Sequence, residues 1–278
     1  MSRPNSPVRL ANGMRHQARK RFGQNFLHDQ GVIQRIIDSI DPQADERLLE
    51  IGPGQAALTR PLASSGAQLD CVELDRDLAA YLEKEFKGNH KVTIHQQDVL
   101  KFDLASLVSA DSRDQKFRVI GNLPYNISTP VMFHLLKSHE LIEDMIFMLQ
   151  LEVVQRLIAE PDNKNYGRLG LMAQYYCEIE HLFNVPSAAF TPQPSVSSAI
   201  VRLKPHREFP VLARDVGCLQ MVIRTAFNQR RKTLKNSLKN LISVDRLEQL
   251  PIDLGQRPEK LSLADFVLIS DLLKEQET

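Results

Sequence analysis

Leu48-Leu49-Glu50-Ile51-Gly52-Pro53-Gly54-Gln55-Ala56-Ala57 sets a short apolar run, broken only by Glu50, directly before a G-x-G-x-x-A turn. The run is short and bounded, as a buried strand is, and Ala57, Leu58 and Leu62 after the turn fall at helical spacing. Strand, glycine turn and helix open a βαβ unit, in which glycines let the backbone approach a ligand and the helix N-terminus faces it. A turn that needs glycine and nothing more has the same local pattern, so its surroundings decide. Outward from it, Leu69–Glu73, Val92–His95, Phe117–Ile120 and Met145–Leu149 read as further buried strands, with helices over Ala56–Ser65 and Asp77–Phe86. Strand–helix alternation with short connections predicts a parallel, doubly wound α/β sheet.

Beyond the sheet the pattern changes. A helix is expected over Leu151–Glu160, then a turn-rich stretch (Pro161–Gly167) and a second helix through about Tyr176. Strands near Ile179–Val185 and Ser197–Leu203 flank the proline-marked loop Pro186–Pro194 and are expected to pair as an antiparallel hairpin at the sheet edge. From Phe209 onward only helical patterns occur: Val211–Phe227, Arg230–Ile242, Val244–Leu250 and Ser262–Lys274. The expected organisation is a basic segment (1–24), an α/β domain (25–206) and a smaller all-helical domain (207–278), with Pro205 and Pro210 bracketing the linker.

With 278 residues, 42% hydrophobic and 25% charged, the chain has length for one large or two unequal domains and is not largely disordered. No apolar run reaches the roughly 18–20 residues that span a bilayer, and the polar N-terminus lacks a secretory h-region. Cys71, Cys177 and Cys218 are too scattered for a disulfide framework or a C-x-x-C pair, and the 8 histidines lack ligand spacing. A cytoplasmic, metal-free protein is expected. The balanced charge, 35 Lys+Arg against 34 Asp+Glu, hides segregation. Residues 1–24 carry six basic residues and no acid, and residues 202–239 carry ten against Glu208 and Asp215. Two basic blocks on an otherwise acidic chain fit a polyanion partner, although either alone is also what a solvated tail or helix face looks like.

Glu73 ends the next strand about 20 residues after the glycine turn, where a carboxylate accepts both hydroxyls of a ribose. On these residues a nicotinamide dehydrogenase remains open. Asp98, in His95-Gln96-Gln97-Asp98, follows the third strand at the same sheet edge, placed to accept from the exocyclic amine of adenine. A lone aspartate there is more often a loop or N-cap residue; its weight comes from its register with Gly52 and Glu73. Gly121-Asn122-Leu123-Pro124-Tyr125 then ends the fourth strand. A side-chain amide oxygen and a main-chain carbonyl can accept two N–H bonds from a planar amine, and Tyr125 offers a face for a base; a plain turn built by Asn and Pro is the simpler alternative. Together these features turn the reading away from a dehydrogenase.

At this point the residues resemble a family. Glu50-Ile51-Gly52-Pro53-Gly54, Val72-Glu73-Leu74-Asp75, Gln97-Asp98 and Asn122-Leu123-Pro124-Tyr125 resemble the small-subunit (16S) rRNA adenine N6,N6-dimethyltransferases. Lys20-Arg21-Phe22-Gly23-Gln24-Asn25-Phe26-Leu27 resembles their cofactor-covering segment, and Phe190-Thr191-Pro192-Gln193-Pro194-Ser195-Val196-Ser197-Ser198 their target-base loop. Phe227-Asn228-Gln229-Arg230-Arg231-Lys232-Thr233-Leu234 resembles their helical domain and sets the chain apart from the large-subunit branch.

The resemblance implies a Rossmann-like methyltransferase sheet that uses S-adenosylmethionine. The implied substrate is two adjacent adenosines of a terminal hairpin loop of small-subunit rRNA, in an assembling 30S-type subunit. It further implies that Asn25, Leu27, Gly52, Glu73, Asp98 and Asn122 bind the cofactor, and that Asn122, Leu123, Pro124, Tyr125 and Phe190 hold and activate the target base. Arg19, Lys20, Arg21, Arg224, Arg230, Arg231, Lys232, Lys235 and Lys239 are the candidate RNA contacts, with Arg231, Lys235 and Lys239 sharing one face of a predicted helix. The protein is expected to act as a monomer. A dominant role in subunit assembly, or methylation of another RNA, stays open.

Overall fold

The computed structural model describes residues 24–108, 115–229 and 231–275, together with the backbone of 8–9 and 15–16. The expected basic segment with Arg19, Lys20 and Arg21 lies outside the described residues, as does Arg230. In chain order the elements are β1 (Val8–Arg9), β2 (Arg15–His16), β3 (Phe26–Leu27), α1 (Gln30–Ile40), β4 (Arg47–Ile51), α2 (Thr59–Ser64), β5 (Gln68–Glu73) and α3 (Arg76–Glu85). There follow β6 (Val92–Gln96), β7 (Phe117–Asn122), α4 (Ser128–Leu136), β8 (Ile142–Gln150), α5 (Leu151–Leu157), α6 (Arg168–Tyr176), β9 (Cys177–Val185), β10 (Phe190–Thr191) and β11 (Ser198–Pro205). The chain then runs through α7 (Val216–Phe227), α8 (Leu234–Leu238), α9 (Val244–Leu247) and α10 (Leu263–Lys274).

Seven strands form one sheet in the order β6-β5-β4-β7-β8-β11-β9. The first five are parallel, as the periodicity predicts, and β11 runs antiparallel to β8. β9 sits beside β11 at the edge, where the sequence places the closing pair. Because side chains alternate along a strand, Leu48, Leu69, Cys71, Ile120 and Ile146 share one core cluster with Ile33, Ile36 and Ile40 of α1 and Leu62 of α2. The chain reverses direction across the sheet at β4, with β5 on one side and β7 on the other. Such a reversal opens a crevice at the carboxyl ends of the strands, where Gly52, Glu73, Asp98 and Asn122 lie.

Away from that edge, Arg118 of β7 clasps its cross-strand neighbour Asp144 through two bonds, 2.9 and 3.0 Å, and reaches Glu46 at 3.1 Å. Charge pairing on both sides holds this guanidinium above its ordinary pKa despite its desolvation.

Three expectations change. The helix after the glycine turn, α2, starts at Thr59 rather than Ala56, because Ala56 itself is left-handed (φ 63) and extends the turn. The helical unit is larger than 207–278: Gln155–Ile179 clusters with it. Aromatic packing explains this. Tyr175 meets Phe209 at 5.1 Å between ring centroids, Phe227 meets Tyr166 at 6.2 Å, and the Tyr166 hydroxyl donates to the Leu261 carbonyl at 2.8 Å. Finally, the helix expected over Arg230–Ile242 is only Leu234–Leu238, since Thr233 is extended (ψ 160) and starts it late. Arg231 therefore lies in a turn and Lys239 at the C-cap, so the continuous ridge of Arg231, Lys235 and Lys239 is not formed.

Candidate active site

The crevice is a cleft of ≈ 360 Å³ lined by the 24–27 segment, the glycine turn, the ends of β5 and β6, and the Asn122–Ile127 turn. That size is within the range of small-molecule sites. Gly52 and Gly54 both have positive φ (68 and 57), and a Cβ on Gly54 would stand 3.4 Å from the Phe26 ring. Glycine is thus needed at this turn for its left-handed conformation, since a Cβ would meet only ordinary contacts.

Glu73 is the acceptor at the end of β5. Its two carboxylate oxygens accept from Gly54 N (3.1 Å) and Asp75 N (2.8 Å), which fixes the group without using all its lone pairs. Burial pushes this carboxyl above its ordinary range, against the amides that favour its charge. Asp98 does serve as an N-cap, accepting from Leu100 N at 3.0 Å through Oδ1, and it lines the cleft as well. Leu74, Val99 and Leu100 supply apolar wall between these two carboxylates. A diol acceptor, an amine acceptor and apolar surface between them fit an adenosine moiety, so the donor set suits an adenosine-bearing cofactor.

On the other side stands the Asn122–Tyr125 turn. Asn122 Nδ2 donates to the Asn25 carbonyl at 3.1 Å, which orients the amide and leaves Oδ1 as its acceptor. The Pro124 carbonyl already accepts from Ile127 N at 3.1 Å. Among the described residues no donor reaches the Leu123 carbonyl, so of these two neighbouring carbonyls Leu123 is the available one. The turn is crowded: a Cβ on Gly121 would lie 2.8 Å from Leu123 Cδ2 and 3.0 Å from the Ile51 carbonyl.

The structure gathers Asn25, Leu27, Gly52, Glu73, Asp98, Asn122, Leu123, Pro124 and Tyr125 around this one cleft. Phe190 is the exception. It is 3% exposed, pairs with Leu27 in the β3·β10 ladder, and belongs to the core cluster with Phe183 and Val185. Burial of a large apolar ring favours this core position, and the Phe190 ring does not line the cleft. Arg224, Arg231, Lys232, Lys235 and Lys239 are exposed on the helical unit, and Lys235 pairs with Glu248 at 3.1 Å.

Sequence reasoning gave no role to Glu50. It lines the cleft at 2% exposure, and burial, assisted by the nearby Glu73 charge, pushes its carboxyl up to about 7. The signal was present as a carboxylate inside an apolar strand. Among the described residues, no group of three or more His, Cys, Asp or Glu could hold a metal ion, and no helix is long and apolar enough to cross a membrane.

Comparison with known proteins agrees with this geometry. The family model for ribosomal RNA adenine dimethylases matches residues 15–275. The ribosomal RNA small subunit methyltransferase A of Pseudomonas fluorescens (strain Pf0-1) is 56% identical over 261 residues, covering 94% of this chain and 95% of that protein. Its counterpart in Pseudomonas aeruginosa is 56% identical over 260 residues, 94% of this chain and 96% of the relative. Among solved structures, a dimethyladenosine transferase from Plasmodium falciparum superposes with a TM-score of 0.74 at 22% identity, covering 91% of this chain and 98% of that one. The 23S rRNA methyltransferase ErmE gives 0.68 at 24% identity, covering 90% and 100%; at such identities both speak for the fold. A match over nearly the whole length, on a sheet whose cleft gathers the adenosine acceptors and the Asn122–Tyr125 turn, places this chain in the ribosomal RNA adenine dimethylase family.

Proposed function

We infer that this chain transfers methyl groups from S-adenosylmethionine to N6 of two adjacent adenosines in the 3′-terminal hairpin loop of small-subunit rRNA, giving N6,N6-dimethyladenosine. The observation that carries the reading is the cleft itself, with Glu73 and Asp98 on one side and the Asn122–Tyr125 turn on the other. When bound, the cofactor supplies an electrophilic methyl group on a sulfonium. Asn25, Leu27, Gly52, Glu73 and Asp98 would hold it.

The chain's own contribution is to the nucleophile. The amine of adenine is weakly nucleophilic because its lone pair is delocalised into the ring. Asn122 Oδ1 and the Leu123 carbonyl accept its two N–H bonds, which favours a pyramidal nitrogen with an available lone pair and aims it. Both acceptors are preorganised, one by the Asn25 carbonyl and the other by the closed turn. Each transfer leaves the nitrogen cationic and one of its protons acidic enough to pass to water: the first gives the monomethylamine, with one N–H left for these acceptors, and the second the dimethylamine; no dedicated base is needed. Because the amine belongs to a base, the nucleotide must be splayed out, with the Tyr125 ring as its stacking face.

The exposed cations Arg224, Arg231, Lys232 and Lys239 would contact phosphates, which position RNA without reading its sequence. Action as a cytoplasmic monomer on an assembling 30S-type subunit belongs to the same proposal. Mass spectrometry of nucleosides from small-subunit rRNA, incubated as immature subunits with the protein and labelled cofactor, tests it. Labelled dimethyladenosine at two adjacent positions is expected. Label confined to another RNA, or tight subunit binding with no label, would overturn it.

A further inference from the structure

Tyr125 is held at both ends. Its main-chain carbonyl accepts from the Ser128 hydroxyl at 3.3 Å, at the start of α4. Its phenol oxygen meets Ser198 Oγ at 2.7 Å, where β11 begins, 73 residues away in the chain. Ser198 is 0% exposed, and its backbone is in register with Gln150 of β8. Among the described residues the Tyr125 hydroxyl is the partner of that buried Oγ. With its α-carbon set by the turn and its para oxygen bonded at the start of β11, the ring must break that bond to swing about χ1.

We propose that Ser198 is a positioning residue for methyl transfer, whose hydroxyl fixes the direction of the Tyr125 ring against which the target adenine stacks. The inference rests on the reading above that Tyr125 is the stacking face. The geometry of the stack sets where N6 falls relative to Asn122 Oδ1 and the Leu123 carbonyl, and errors of about 1 Å in a reacting group cost up to about a hundredfold in rate. The effect of Ser198 should therefore appear in turnover. If the hydroxyl only completed the start of β11, its loss would appear in stability alone.

The test compares full-length Ser198→Ala, Tyr125→Phe, the double variant and Tyr125→Ala on immature small subunits, with kcat, KM, cofactor affinity and thermal unfolding measured for each. Ser198→Ala and Tyr125→Phe should each lower kcat roughly tenfold, the size of one lost hydrogen bond, with cofactor affinity unchanged. The double variant should be no slower than either single one, because both remove the same bond. A Ser198→Ala protein with wild-type kcat and only a lowered Tm would overturn the proposal, as would losses that multiply in the double variant. Tyr125→Ala separates the two layers. Wild-type turnover in that variant removes the stacking reading and the Ser198 role with it; lost turnover there, with Ser198→Ala unimpaired, removes the Ser198 role alone.

Discussion

Asn122 Nδ2 donates to the main-chain carbonyl of Asn25, 97 residues earlier, at 3.1 Å. One bond thereby joins the turn that would handle the base to the segment that walls the cofactor end of the cleft, and it decides which end of the amide faces the amine.

Removing that amide should separate chemistry from binding. Asn122→Ala is expected to lower kcat by about 10²–10³, the usual loss for a preorganised acceptor or donor in a reacting site, while affinity for the subunit stays within a few-fold. Asn122→Asp keeps an acceptor but loses the donor to Asn25, so it should also be slow. Single-turnover rates on immature subunits check both, and wild-type rates in either variant would contradict the orienting role.

Glu73 is expected to carry cofactor affinity. Glu73→Ala removes the acceptor that Gly54 N and Asp75 N hold in place, and binding should weaken by about 1.5–3 kcal/mol, the range for a hydrogen bond to a charged group. Calorimetric titration of the folded variant with S-adenosylmethionine reads this directly, and unchanged affinity would remove Glu73 from the site.

Glu50 makes stability depend on pH in a defined direction. Its carboxyl is raised from an ordinary 4.5 to about 7, chiefly by burial. Between those values the folded protein holds a proton that the unfolded chain has released, so this group's contribution falls as pH rises from about 4.5 to about 7. Glu50→Gln abolishes the effect, and the variant should gain on wild type by about 3 kcal/mol between pH 5 and pH 8, at 1.36 kcal/mol per pKa unit. Urea denaturation at the two pH values, without cofactor, checks it; a difference that does not change with pH would contradict the assignment.

Arg118 should be a stability residue with no part in the chemistry. Arg118→Met takes the bidentate partner from the buried Asp144, which keeps only Arg202 Nε at 3.8 Å, and should cost about 1.5–3 kcal/mol, the range for hydrogen bonds to a charged group. Adding Asp144→Leu should recover only part of that, since Arg202 and Glu46 then each lose a partner as well. Denaturant midpoints of the single and double variants decide it.

The basic surface has a salt signature. Arg231, Lys232 and Lys239 are exposed, whereas Lys235 is drawn to Glu248. Replacing the first three by glutamine should weaken subunit binding and flatten the log-affinity against log-salt slope by about 0.7–0.9 per lost phosphate contact, with cofactor affinity unchanged. An unaltered slope would make these residues a merely solvated surface.

The sheet and most of the cleft were legible because they rest on local signals. Apolar runs mark the strands, glycines mark the turn, and parallel order brings Gly52, Glu73, Asp98 and Asn122 to one edge whatever the loops do. What escaped depends on distant pairing. β3 and β10 are two residues each, too short for any periodicity, yet their ladder is what carries Phe190 into the core. The Tyr125–Ser198 bond is equally silent in sequence, since a serine at the end of a polar loop looks solvated. The lost ridge on the helical unit has a local cause: apolar spacing continues through 230–242, but Thr233 is extended and interrupts the helix there.

The crowding at Gly121 bears on how freely this sequence can drift. Residue 121 offers nothing to either substrate, yet an alanine methyl there would stand 3.0 Å from the Ile51 carbonyl and 2.8 Å from the end of the buried Leu123 side chain, in the turn whose carbonyl would accept from the amine. In a saturation library selected for methylation, position 121 should therefore tolerate as little as Asn122, with cofactor affinity the measurement that tells a spatial veto from a chemical one.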